Sequence, residues 1–176
     1  MRRIYLAGFE VFKADSVAHG TSLKSLCRRY GYQGLYPLDN VTPAELGGRA
    51  LADWIYRANI ELIRQSDLVM ANLNVFRGHE PDSGTAFEVG YAVALGKPVW
   101  AYTGQSQTLV ERIAVATDPG DPQRAVDADG YTVEDFGLNL NLMLACSATM
   151  VVGDAEACLA RIQAHDAGET PDGRKG

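Results

Sequence analysis

The sequence predicts an α/β fold: a doubly wound, five-stranded parallel sheet with helices on both faces. Three observations predict it. Short apolar runs at residues 4–7, 67–73 and 98–102 have strand length and no polar alternation, the pattern of strands buried on both faces. Leu51, Ile55, Ala58 and Leu62 recur at spacings of four, three and four, one face of an amphipathic helix. The strand, helix, strand order then repeats, which favours parallel pairing with helices covering the sheet.

The elements follow in order. Residues 4–7 form the first strand, ended by Gly8, with residues 9–15 as its loop; residues 16–30 read as a helix that Gly20 weakens. Residues 34–38 suit a second short strand, with Pro37 at an edge or end, and Asp39-Asn40 is a turn signal. The helix begun at Leu51 leads to the strand at 67–73. After a polar loop, residues 86–95 read as a helix stopped by Gly96, and residues 98–102 as the next strand. Residues 118–135, rich in Asp, Gly and Pro, read as a long surface loop. Residues 149–152 give the fifth strand and 154–165 a last helix, and five strands in this arrangement suit a flavodoxin-like sheet. One domain over residues 1–166 is expected, and the polar stretch 167–176 offers almost nothing to bury and reads as a disordered tail.

Composition narrows function. With 176 residues and 47% hydrophobic content the chain can bury one sizeable core. A formal charge of -6 argues against a surface that tracks the phosphates of DNA or RNA. No run of about 18 apolar residues predicts a membrane span. Glu10 and Lys13 interrupt the first apolar stretch too early for a signal peptide. Cys27, Cys146 and Cys158 are odd in number and widely spaced, which fits a reducing cytoplasmic setting and gives no structural zinc. No Gly-x-Gly-x-x-Gly follows the first strand and no phosphate-cradling Gly-x4-Gly-Lys-Ser/Thr occurs, so neither a dinucleotide nor a nucleoside-triphosphate cofactor is expected, and no metal ligand set is visible.

Chemistry concentrates in residues 76–92, FRGHEPDSGTAFEVGYA. Asp82 lies in the loop and Glu88 six residues on, at the start of the following helix. Paired carboxyl groups beside one pocket equip a site for glycosidic bonds, one attacking or stabilising the sugar cation and the other handling the leaving group's proton. A second reading stands beside it. Thr85-Ala86-Phe87-Glu88 also fits a capping box, in which both side chains satisfy free amides. The readings overlap, because a carboxylate in a first helical turn is stabilised as an anion and a nucleophile must be ionised. Tyr5, near the end of the first strand, is either a core aromatic or a polar group needing a partner. Asn59 borders the buried face of the second helix, a local hydrogen-bonding residue or a ligand contact. In an open parallel sheet ligands bind beyond the carboxyl ends of the strands, which singles out the loop after Tyr5 and the loop at residues 74–84.

The chain resembles the nucleoside 2-deoxyribosyltransferase family over residues 3–148. Four anchors carry the likeness: Ile4-Tyr5-Leu6-Ala7-Gly8, Pro37-Leu38-Asp39-Asn40, the 76–92 block, and residues 136–144, FGLNLNLML. The resemblance implies a cofactor-free enzyme that moves a 2-deoxyribosyl group between nucleobases in nucleoside salvage, with net retention. Glu88 would be the covalent nucleophile, Asp82 the proton donor and acceptor for the base, and Tyr5 the group that orients Glu88. Gly8, Phe9, Phe12, Asp39 and Asn59 would contact substrate, although several members carry Asp where this chain has Asn59. Asn141 matches a residue that reaches the neighbouring subunit's site, implying a homo-oligomer with shared sites, and Phe9, Phe12 and Phe87 are candidate apolar walls there. The alternatives are an N-glycosidase of deoxynucleosides or their 5-prime monophosphates, in which water completes the reaction, and an inert nucleoside-binding module.

Overall fold

In the computed structural model, which describes residues 1–169, the chain runs β1 (Arg3–Ala7), a 3-10 turn (Phe9–Phe12), α1 (Ser16–Arg29), β2 (Gln33–Leu35), a second 3-10 turn (Pro37–Asp39), α2 (Gly48–Gln65), β3 (Leu68–Asn72), α3 (Ser83–Ala94) and β4 (Val99–Thr103). It continues through α4 (Leu109–Ile113), β5 (Ala116–Asp118), β6 (Asp121–Val126), α5 (Leu142–Ala145), β7 (Thr149–Val152) and α6 (Ala155–Asp166). The main sheet has the order β2-β1-β3-β4-β7 and every pair in it is parallel. This is the doubly wound α/β arrangement that the apolar runs predict, with the order reversing beside β1.

The pleat of β1 divides the core. Ile4 and Leu6 face Leu23 and Cys27 of α1 and Leu159 and Ile162 of α6. Tyr5 and Ala7 face the opposite layer, with Ile63 of α2, Val89 and Ala92 of α3, and Leu140. Successive side chains of a strand point to opposite faces, so one five-residue strand supplies both cores. The site grows from the Tyr5 side.

Four expectations need correction. The helix expected at 86–95 begins at Ser83, because Asp82 is its N-cap: Asp82 Oδ2 accepts from the Thr85 amide at 2.9 Å. The capping box expected for Thr85 and Glu88 does not form, and Glu88 lies in the second helical turn, beyond reach of the free amides. The supposed loop at 118–135 contains the antiparallel hairpin of β5 and β6. Its strands are mostly exposed and carry no apolar alternation to read, while Asp118 closes the turn by accepting from the Gly120 amide at 2.7 Å and pairing with Arg124. Finally, none of the four α2 residues read as its core face is fully buried: Leu51, Ala58 and Leu62 are half-buried and Ile55 is 40% exposed, because Ile55 and Ala58 line a cavity, and the buried residues of the helix are Ile60 and Ile63. Of the expected tail, residues 170–176 lie outside the described residues, and Ala167 caps α6.

Candidate active site

A cavity of about 340 Å³ opens beyond the carboxyl ends of β1 and β3, within the range of small-ligand sites. Three walls define it. The β1 loop gives Gly8, Val11 and Phe12; α2 gives Trp54, Ile55, Ala58 and Asn59; and the start of α3 gives Asp82, Gly84, Thr85 and Glu88. Pro37, Leu38, Asn40 and Thr42 close the remaining side, and among the described residues no Lys, Arg or His contributes to the lining.

Tyr5 stands behind the cavity, 0% exposed, and its hydroxyl donates to Glu88 Oε1 at 2.6 Å. Burial and the neighbouring Glu88 charge push the Tyr5 hydroxyl well above its ordinary pKa, so it stays a donor. Burial pushes Glu88 up to about 7; the Tyr5 hydrogen bond pulls it back down and the Asp82 charge adds a smaller upward push. This corrects the idea that a first-turn position would favour the Glu88 anion. In the second turn the helix dipole gives little, and the Tyr5 hydroxyl is the group that favours ionisation.

Asp82 serves two surroundings at once. Its Oδ2 accepts from the amide and the hydroxyl of Thr85, at 2.9 and 3.0 Å, and its Oδ1 has no protein partner among the described residues. Asn59 lines the cavity with its Oδ1 buried and unpaired among the described residues, a costly state unless a ligand or water supplies a donor. Phe76, on the loop before α3, stacks on both Phe9 and Phe12, with its ring centroid 4.9 and 5.4 Å from theirs. The Arg77 guanidinium covers this stack, 4.6 Å from the Phe76 centroid, and Arg77 takes a left-handed φ of 53°, uncommon for a residue with a side chain.

Glu88, Asp82, Asn59, Gly8 and Phe12 thus come together in the cavity wall with Tyr5 directly behind. Two expected contacts, Phe9 and Asp39, lie elsewhere, and Asn141, expected at a neighbouring subunit's site, lies away from this subunit's own cavity. Phe9 supports the aromatic stack without lining the cavity. Asp39 pairs with Lys24 and accepts from the Tyr36 amide at 2.9 Å, while its neighbour Asn40 takes the place on the wall. Asn141 caps α5 and donates to Glu134 at 2.8 Å, and it borders a second cavity on the other side of α3. Trp54, Val11 and Thr42 were not singled out from the sequence. Trp54 follows the apolar face of α2 and could have been found by asking which large side chain that face turns toward the strand ends.

Two carboxyl groups, one buried against a hydroxyl donor, on the walls of an apolar cavity in a doubly wound sheet define an enzyme of the glycosyl-transferring class. Comparison makes the class particular. The nucleoside 2-deoxyribosyltransferase family profile matches residues 4–143, and the chain belongs to that family, whose members act on nucleosides and nucleobases. It is a deoxyribosyltransferase enzyme. A 2-desoxiribosyltransferase from Leishmania mexicana is 36% identical, with a TM-score of 0.75 over 94% of this chain and 99% of its own. An uncharacterized protein of Schizosaccharomyces pombe is 30% identical over 155 residues, 80% of this chain and 74% of its own. A 2-deoxyribosyltransferase from Bacillus psychrosaccharolyticus, 19% identical, shares the fold at a TM-score of 0.58, covering 97% of this chain and 92% of its own. Among the described residues no helix is long and apolar enough to cross a membrane.

Proposed function

We propose that this enzyme transfers 2-deoxyribose between nucleobases through a covalent deoxyribosyl ester of Glu88. The observation that carries the proposal is the buried Tyr5 to Glu88 hydrogen bond beside Asp82 in the cavity wall. Glu88 attacks the anomeric carbon as the bond to the base breaks, and the electron pair leaves with the base, which takes a proton from Asp82. An incoming base then displaces Glu88 and returns a proton to Asp82, so two inversions give net retention and the site ends as it began. A 2-deoxy sugar suits this chemistry because no electron-withdrawing 2-hydroxyl opposes the developing positive charge, and a nearby carboxylate gains most where that charge appears. The unpaired Asn59 Oδ1 accepts from a sugar hydroxyl, a role an amide can fill where a proton transfer is not required.

A lining with two carboxyl groups and, among the described residues, no Lys, Arg or His favours a nucleoside over its 5-prime monophosphate, since a phosphate would need cationic donors. Transfer in place of hydrolysis requires that water be kept from the ester until a base arrives. In a single subunit Phe12 is 57% and Phe87 51% exposed, and both suit burial against a second copy. We place Asn141 of a neighbouring subunit at the site on the same reading, which makes the enzyme a homo-oligomer active in nucleoside salvage in the cytoplasm. Mixed refolding tests it: Glu88→Ala and Asn141→Ala subunits, each inactive alone, regain activity together if sites are shared, and stay inactive if each subunit is complete.

The function itself is tested by chromatography of the protein with deoxyinosine and free adenine. Transfer yields deoxyadenosine and hypoxanthine together. Hypoxanthine with free deoxyribose alone would mean a hydrolase, and no product with any base pair would mean a binding module.

The electrostatics set the pH profile. With Glu88 near 7, kcat/KM is expected to fall as pH drops through about 7, because the protonated carboxyl cannot attack. Tyr5→Phe removes the group that favours the anion, so its acid limb is expected at higher pH than the wild type's. An unmoved limb in that variant would separate Tyr5 from Glu88 ionisation.

A further inference from the structure

A second acid lies at the same end of the sheet but on the opposite face. Glu10, in the 3-10 turn after β1, is 5% exposed. Its Oε1 accepts from the Asn72 side-chain amide at the end of β3 and from the Tyr102 hydroxyl on β4, the latter at 3.2 Å. His19 Nε2 of α1 is 3.8 Å away, too far for a hydrogen bond. The carboxylate has no part in the cavity wall, and the chemistry above does not use it.

What it touches is the floor of the nucleoside site. A Cβ built on Gly8 would fall 2.1 Å from Glu10 Oε2 and 3.1 Å from the Asn72 Cβ. The Gly8 backbone is extended, with φ 167°, so glycine is required there by the space the acid occupies and not by conformation. The same short turn presents Val11 and Phe12 to the cavity while Glu10 points away beneath them. The chain of contacts continues outward. Asn72 Oδ1 accepts from the Asn74 amide at 3.0 Å and its side chain at 2.7 Å, and Asn74 Oδ1 accepts from the Gly104 amide at 2.8 Å. One network, buried at Glu10 and Asn72 and reaching the surface at Asn74 and Gly104, therefore joins the loops after β1, β3 and β4, and the β3 loop carries Phe76 against Phe9 and Phe12.

We propose that Glu10, through Asn72 and Asn74, is a positioning residue that fixes the Gly8 to Phe12 turn, and the Phe76 loop that stacks on it, so that the turn is a preformed binding surface for the nucleoside. Buried polar networks with satisfied partners rigidify what they hold, and a binding surface held rigid loses less freedom on binding. Tyr102 remains a donor to this acid, since burial and the Glu10 charge push its hydroxyl well above the ordinary value. The network acts on binding and leaves the reacting atoms to Glu88 and Asp82, so it divides the kinetic constants in a way a general loss of stability would not.

The proposal rests on the Glu88 cavity being the nucleoside site, and the test separates the two. Exchange kinetics are measured for Glu10→Ala, Glu10→Gln and Asn74→Ala, with calorimetric binding of deoxyinosine and thermal melting of each. Glu10→Ala is expected to raise KM for deoxyinosine about tenfold, weaken binding in parallel and leave kcat within about threefold. Glu10→Gln, whose amide oxygen can still accept from Asn72 and Tyr102, is expected to restore most of the affinity. Should Glu10→Ala fail to fold, Asn74→Ala, which breaks only the outer link, carries the test through the same rise in KM at constant kcat. Variants that melt earlier yet keep wild-type KM, or that lose kcat at constant KM, would overturn the proposal. Wild-type protein that neither exchanges nor binds deoxyinosine would instead remove the functional reading, and the proposal with it.

Discussion

Glu88→Gln is expected to lose roughly 10⁴-fold or more in exchange rate, the scale of removing a covalent nucleophile, while becoming more stable above pH 7. The stability half follows from the raised carboxyl. The folded protein holds a proton up to about 7 that the unfolded chain gives up near the ordinary carboxylate value of 4.5. Between those values the native state binds more protons, so wild-type stability declines as pH rises and the full cost, about 1–3 kcal/mol, is present above the folded value. Glutamine cannot ionise and still accepts from Tyr5. Melting temperatures of the two proteins should therefore agree near pH 4.5 and diverge at pH 8, by roughly 2–4 °C for each kcal/mol. Equal melting at both pH values would show that Glu88 carries no such burden in the fold.

Asp82→Asn is expected to slow exchange by about 10²–10⁴-fold, the usual weight of a general acid and base. Asparagine keeps an oxygen for the Thr85 amide and so keeps the N-cap of α3, but it cannot carry the leaving base's proton. Melting should change little. Asp82→Ala removes both jobs and should add about 0.5–2 kcal/mol of destabilisation from the lost cap. The two variants thus separate proton transfer from capping. The slowing should also be smaller for donors whose base leaves readily without protonation. Full activity in Asp82→Asn, with loss only in Asp82→Ala, would reduce Asp82 to a capping residue.

Much of the fold was legible because β1, β3 and β4 are buried on both faces and write continuous apolar runs. The hairpin of β5 and β6 was not, because exposed strands with Pro122 and several acids carry no such pattern. The start of α3 was misplaced by three residues since two capping signals overlap there, and only the fold shows that Asp82 holds the amide while Glu88 turns to Tyr5. For the site, Tyr5, Asp82, Glu88, Asn59, Gly8 and Phe12 were named from motif and family likeness, and the cavity wall gathers all of them but Tyr5, which stands behind it against Glu88. Its α2 wall was less visible, because an apolar helix face reads the same whether it meets a sheet or a ligand. Glu10 was invisible as a site feature: a single acid in a loop has no periodicity, and its role depends on Asn72 and Tyr102, distant in sequence.

The covalent ester is the claim on which the rest depends, and peptide mass spectrometry tests it most directly. The protein is mixed with deoxyinosine and no acceptor base, quenched in acid within the first turnover, digested and sequenced. A mass increment of one deoxyribosyl group should appear on the peptide containing Glu88, vanish when adenine is added before the quench, and be absent in Glu88→Gln. Rapid exchange with no adduct, or an adduct on any other residue, would contradict nucleophilic attack by Glu88.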